Sequence, residues 1–166
     1  GMKTSIDVVS EAGERFKRLV TPALRYTDYC IINELETQQT TGVLLRGEDG
    51  TLHVENMKAA LQKLHELGVA KWAVIHCPEI GCGMDENGNY YEFESMKLPK
   101  GYIKGTVGAG DAFCGTLAAS LACGSSKKDA MERAAAAGAI VACATGAQTD
   151  TLNASAIERM IASRSA

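Results

Sequence analysis

The sequence predicts an α/β fold, with a mostly parallel sheet flanked by helices in three layers and a small antiparallel hairpin. Three observations carry this. Short β-branched or apolar runs at residues 4–9, 29–32 and 72–76 alternate with helical stretches. Such alternation implies right-handed crossovers and a sheet covered on both faces. Asn87-Gly88, between Met84 and Tyr90-Tyr91, marks a hairpin turn whose strands are expected to be antiparallel and partly exposed. Between Ala109 and Ala147 alanine and glycine dominate and aromatics nearly vanish, so the helices there must pack closely.

Each element follows from its residues. Residues 4–9 alternate loosely and are β-branched, which predicts a strand. Ser10 and Glu11 then resemble a helix start, with a helix to about Val20 that Pro22 interrupts. Residues 29–32 form an apolar run of strand length with Asn33 at its end. From Glu55, the residues Met57, Ala60, Leu61, Leu64 and Leu67 recur at three- and four-residue steps before Gly68, an amphipathic helix with a glycine stop. Residues 29–32 read as a buried strand, and residues 72–76 as another apolar strand. A helix should begin at the glycine-rich turn before Asp111 and end at Gly124, carrying Phe113, Leu117 and Leu121. Ser126 opens the next, with Asp129 three residues on as a short-acid capping box, and Asn153 caps a last helix containing Ile157, Met160 and Ile161. With no repeat or linker, residues 2–166 are expected to form a single domain, and Gly1 reads as a residue left by tag removal.

Composition narrows the function classes. The 166 residues carry 17 Lys+Arg against 20 Asp+Glu, a net charge of −3, and 46% are hydrophobic. A soluble globular domain of this size needs neither disulfides nor metal to fold. The mild acidic excess, without a basic run, argues against nucleic-acid or anionic-membrane partners. No apolar stretch reaches the roughly 18–20 residues that span a bilayer, and no export signal is recognisable, so a cytoplasmic protein is expected. Cys30, Cys77, Cys82, Cys114, Cys123 and Cys143 lie in apolar surroundings without C-x-x-C spacing and read as reduced thiols. His76, Cys77 and Cys82 lack the second half of a metal cluster.

The string with most chemistry is Gly105-Thr106-Val107-Gly108-Ala109-Gly110-Asp111-Ala112-Phe113. Glycines before a helix leave N–H groups free to face an anion, and the helix dipole adds partial positive charge. Asp111 could take a proton from a hydroxyl nucleophile held in line with a phosphoryl group. The purely structural alternative is a tight turn with Asp111 as a cap. Neither a Walker P-loop nor Gly-x-Gly-x-x-Gly is present.

The same string resembles the signature of the ribokinase-like (PfkB) sugar kinases, roughly Asp-Thr-x-Gly-Ala-Gly-Asp-x-Phe. Asn33-Glu34-Leu35-Glu36, after a strand, resembles the family's upstream Asn-x-x-Glu, and Thr145-Gly146-Ala147 its C-terminal segment. The resemblance implies a ribokinase-like, Rossmann-like three-layer fold and an ATP-dependent carbohydrate kinase. It makes Asp111 the catalytic base and the amides of Gly108, Ala109 and Gly110 the anion hole, with Thr106 in the nucleotide site. Asn33 and Glu36 would help hold Mg²⁺ and nucleotide phosphates through water, the alternative being a strand-end Asn and a solvated helix Glu. The family's nucleotide loop, about Thr-x-Gly-x-x-Gly, aligns with His76-Cys77-Pro78-Glu79-Ile80-Gly81, where Gly81 matches and His76 takes the place of the hydroxyl. His76 is either a nucleotide contact or a strand-end histidine bonded to backbone. Gly105 replaces an aspartate that supports a monovalent-cation site in many members, so activity is expected to be insensitive to K⁺.

Family members are roughly twice this length, and the part not matched is their N-terminal half, with most acceptor contacts. Three readings follow: the C-terminal portion of a sugar or nucleoside kinase using ATP and Mg²⁺; a non-catalytic nucleotide-binding remnant; and an unrelated α/β interaction protein. An open sheet edge also implies a homodimer or other homo-oligomer.

Overall fold

In the computed structural model, which describes residues 1–9 and 14–164, strands β1 (Ser5–Ile6), β2 (Tyr29–Asn33) and β3 (Trp72–His76) run parallel. Strand β4 (Ile80–Asp85) is antiparallel to β3, and β5 (Tyr90–Glu94) completes a mixed five-stranded sheet in sequential order. Helices α1 (Glu14–Ala23), α2 (Glu34–Thr41) and α3 (Met57–Glu66) lie within the crossovers, and α4 (Ala109–Ala122), α5 (Lys127–Ala142) and α6 (Ala154–Ser163) follow the hairpin. The chain divides into two compact units, one of Gly1–Cys77 with Gly81–Glu92 and one of Pro78–Ile80 with Phe93–Ala166.

The first unit is built on β2 and β3. Successive strand residues point to opposite faces, and Trp72, Ala73, Val74 and Ile75 are each at most 1% exposed, so both faces of β3 are covered. Helix α3 contributes Met57, Ala60, Leu61 and Leu64, all fully buried, at the expected spacing. Each large apolar side chain buried this way contributes roughly 1.5–3 kcal/mol. Gly68 ends the helix at φ +128°, where a Cβ would stand 2.8 Å from the Arg25 Cα.

Several expectations change here. The expected helix start at Ser10 and Glu11 lies outside the described residues. Pro22 does not interrupt α1 but sits in its last turn, where it forgoes the bond to the Arg18 carbonyl with only one helical residue left to follow, and the Thr27 hydroxyl donates to the Ala23 carbonyl just beyond at 3.0 Å. Only Ser5 and Ile6 of the expected 4–9 strand pair with β2. Helix α2 leaves no apolar period in the sequence, where a helix enters only as the alternative setting for Glu36, because its inward residues Glu34, Glu36, Thr37 and Thr40 are polar. It is held by hydrogen bonds instead of an apolar stripe. Arg46 pairs with Glu34 Oε1 at 2.6 Å, Gln38 Oε1 accepts from the Leu45 and Arg46 N–H groups, and Thr40 bonds back to the Glu36 carbonyl.

Strand β4, expected to be partly exposed, is buried along its length, while β5 is mixed. Their connection turns at Gly88, φ +79°, around Asp85, which is 3% exposed. The Asp85 carboxylate accepts from the Asn87 and Asn89 N–H groups, the Asn89 amide and the Tyr91 hydroxyl, each at 3.0 Å. Leaving a buried donor unpaired costs roughly 1–3 kcal/mol. Asp85→Ala is therefore expected to destabilise the chain by about 2–4 kcal/mol, seen as a lower urea midpoint at unchanged m-value.

In the second unit small residues allow close helix packing. Ala130, Ala134, Ala136 and Ala137 of α5 are fully buried, and a Cβ on Gly138 would lie 3.2 Å from the Ala109 carbonyl of α4. Phe93 stacks on Phe113 with ring centroids 6.5 Å apart. The Ser126 hydroxyl caps α5 by accepting the Asp129 N–H, while the Asp129 carboxylate takes the Ser126 O–H at 2.7 Å instead of reaching the cap's backbone. Asn153 caps α6, whose Ile157 packs with Ala136, Ala137 and Ile140. All six cysteines are free; Cys30 and Cys82 are buried, but Cys123 is exposed and not in the apolar surroundings expected of it. No helix among the described residues is long and apolar enough to cross a membrane.

Candidate active site

Asn33, Glu36, His76 and Gly81 belong to the first unit, and residues 105–111 to the second. In the first, Asn33 of β2 is in register with His76 of β3, and His76 with Gly81 of β4. Three of the four residues thus lie side by side at the carboxyl ends of the parallel strands, where open α/β sheets take their ligands.

Asn33 and Glu36 form a reciprocal capping box at the start of α2. Asn33 Oδ1 accepts the Glu36 N–H at 2.8 Å, and Glu36 Oε2 accepts the Asn33 N–H at 3.0 Å. The Thr37 hydroxyl adds a bond to the Asn33 carbonyl at 2.7 Å. Glu36 is only 3% exposed, so it is not a solvated helix residue. These donors and acceptors are committed to the strand-to-helix corner, and among the described residues no group of three His, Cys, Asp or Glu could hold a bare metal ion. What the corner fits is a hydrated cation: the second lone pair of Asn33 Oδ1 can accept from a metal-bound water, with Glu36 holding Asn33 in place.

His76 is half-buried by surface area, yet the protein around it lowers its pKa to about 4, so the imidazole is neutral at physiological pH. A neutral ring presents one donor and one acceptor, and it can donate to a phosphate without carrying charge. Because the folded pKa lies below the unfolded value near 6.5, the unfolded chain binds the extra proton between the two. Stability should be full above about pH 6.5 and fall toward pH 4, by at most about 1.4 kcal/mol per pH unit from this group. His76→Gln should flatten that slope in pH-dependent urea unfolding. On the neighbouring strand, burial pushes the Cys82 thiol up to about 12 and also raises the Tyr90 phenol, whose hydroxyl bonds Glu92 at 2.7 Å. Cys82 is therefore no thiolate nucleophile.

In the second unit the glycine-rich string becomes a tight turn into α4. The cap, Gly108, has φ +81°, and a Cβ there would stand 2.3 Å from the Ala147 carbonyl oxygen. The Lys104 and Gly105 N–H groups both donate to the Ala142 carbonyl, which fastens the stretch before the turn to the last residue of α5. The first helical bond runs from the Ala112 N–H to the Gly108 carbonyl at 2.9 Å. Of the three residues assigned to the hole, Gly108 and Gly110 keep N–H groups without an acceptor among the described residues. The Ala109 N–H instead donates to the Thr106 carbonyl at 3.2 Å. Asp111 supplies another open N–H, which the sequence reading omitted although the first-turn donors of any helix lack intrahelical partners. The Asp111 side chain is exposed in the first turn, and Val107 before the turn is 72% exposed. Backbone donors, a helix dipole and an adjacent carboxylate can together attract an anion and accept a proton beside it.

No curated protein matches the chain in sequence. In structure it is similar to Arabidopsis thaliana ribokinase complexed with ribose and ATP, with a TM-score of 0.77 and 21% identity over 96% of this chain and 47% of that one. It is similar also to a putative ribokinase II from E. coli in complex with ATP and Mg²⁺ (TM-score 0.75, 20% identity, 97% and 49% covered). The ribokinase of Thermotoga maritima gives a TM-score of 0.74 at 23% identity, with 96% and 49% covered. These likenesses show a ribokinase-like α/β fold, and the chain spans about half the length of the structures it matches. The profile described as pfkB family carbohydrate kinase matches residues 2–154, nearly the whole chain, and the protein belongs to that family.

Proposed function

We propose that this chain is the phosphoryl-handling portion of an ATP-dependent carbohydrate kinase. The observation that carries the proposal is the start of α4, where open N–H groups of Gly108, Gly110 and Asp111 adjoin the Asp111 carboxylate. Such donors favour the charge that grows on a phosphoryl group in transfer. Asp111 accepts the proton of the acceptor hydroxyl as its oxygen bonds to the γ-phosphorus. The bond from that phosphorus to the bridging oxygen breaks, and ADP leaves with the electron pair. Asn33 and the neutral His76 contact the nucleotide phosphates, Glu36 fixes Asn33, and Thr106 and Gly81 border the nucleotide. A hydrated Mg²⁺ arriving with the nucleotide would neutralise phosphate charge, touched through water by Asn33.

A second reading, a non-catalytic nucleotide-binding remnant, is favoured by Pro78. It lacks an N–H where a phosphate loop needs one. A panel of sugars and nucleosides with Mg-ATP separates the two. Phosphorylation of any member by this chain supports the kinase reading, and failure across the panel together with retained nucleotide binding supports the remnant.

A further inference from the structure

The second unit contains a cleft of about 350 Å³ walled by α4, α5 and α6, and none of residues 105–111 lines it. We propose that this cleft binds a small organic anion, a phosphate monoester or carboxylate, at a site separate from the turn at Gly108.

Its polar lining is rich in donors. The Ser120 hydroxyl, on a residue only 7% exposed, faces the cleft and has no hydrogen-bond partner among the described residues. Thr116 and Ser125, both partly buried, add hydroxyls without a partner among the described residues. The Ser120 oxygen is open to the cleft instead of sealed in the core, so a ligand oxygen entering that space can bond it. Arg133 bonds Glu158 through one guanidinium N–H, and a guanidinium carries five. Helix α6 opens into the cleft at Asn153 and Ala154 with no acidic residue in its first turn, so its positive dipole end stands uncompensated there. Several acceptors that would repel an anion are already engaged. Asn153 Oδ1 takes the Ala156 N–H, and the Ala119, Ser120 and Leu121 carbonyls at the end of α4 take the N–H groups of Cys123, Ser125 and Gly124. The volume is near the lower end for small-molecule sites, which suits a compact ligand of a few carbons with one anionic head.

Titration of the chain with glycerol 3-phosphate and, separately, with succinate, followed by amide nitrogen–proton NMR, tests this. Saturable shifts at Ser120, Ser125 and Ala154 with either probe are expected, and the probe that saturates assigns the head group. Arg133→Gln should weaken binding about tenfold or more and Ser120→Ala about threefold or more, as loss of a charged or a neutral hydrogen bond implies. Ser120→Ala leaves the Arg133–Glu158 pair intact and keeps the test valid if Arg133→Gln does not fold. The proposal is overturned by no saturation up to roughly 10 mM of either probe. It is equally overturned by shifts confined to residues 108–111, or by Ser120→Ala binding as tightly as the parent chain.

Discussion

Gly108→Ala is expected to destabilise the chain by about 2–4 kcal/mol and to abolish phosphate binding at the start of α4. Two penalties fall on one atom. At φ +81° any L side chain is strained, and the new Cβ would stand 2.3 Å from the Ala147 oxygen, 2.7 Å from its Cα and 2.9 Å from its carbonyl carbon. Those are backbone atoms, which cannot rotate aside as a side-chain tip would. The turn must therefore lift off the segment after α5, taking the open N–H groups of Gly108 and Gly110 with it. Urea unfolding measures the loss, and Gly115→Ala is the control. Its Cβ would meet nothing within 4 Å inside the same helix, so stability should hold or rise by up to about 1 kcal/mol.

Asp111→Asn is expected to slow phosphoryl transfer by about 10²- to 10⁴-fold, the usual share of a positioned base. Mg-ADP affinity should change by no more than about twofold, because the amide keeps the shape and the backbone donors stay in place. The split between rate and binding, measured on whichever acceptor the panel identifies, separates a base from a first-turn carboxylate that only complements the helix dipole. The structure makes Gly108 the cap of α4, with no side-chain cap bond, so Asp111 is not the cap that the structural alternative supposed. Loss of a dipole contact alone would lower stability by about 0.3–1 kcal/mol and leave turnover per folded molecule unchanged.

Why some of this was legible in the sequence and some not is a matter of which forces leave a periodic trace. Helix α3 and strand β3 are held by apolar burial, and their spacing shows in Met57, Leu61 and Leu64 and in residues 72–76. The starts of α5 and α6 show through Ser126 and Asn153, since caps have few chemical solutions. Helix α2 does not show, because Glu34, Glu36, Thr37 and Thr40 face inward and are satisfied by Arg46, Asn33 and backbone carbonyls far from any hydrophobic pattern. The burial of β4 was hidden for a related reason: Gly81, Gly83 and Asp85 look like turn residues. Yet a Cβ on Gly83 would strike the Trp72 ring nitrogen at 2.8 Å, and Asp85 is closed in by its own hairpin.

The site divides the same way. The turn at Gly108 was visible because glycine in the left-handed region is a requirement of geometry. The pairing of Asn33 with Glu36 was visible only as a motif. Its physical content, a capping box, was present in the Asn-x-x-Glu spacing and pointed to α2 as well as to the corner where the strand ends. Burial of His76 depends on three neighbouring strands and could not be read from one.

Nucleotide phosphate is proposed to bind at the start of α4, and titration of the chain with Mg-ADP, read by calorimetry and by amide NMR, is the decisive test. Saturable binding in the micromolar to millimolar range is expected, with the largest shifts at Gly108, Gly110 and Asp111. No saturable binding, or binding that leaves those three amides unmoved, would contradict the proposal.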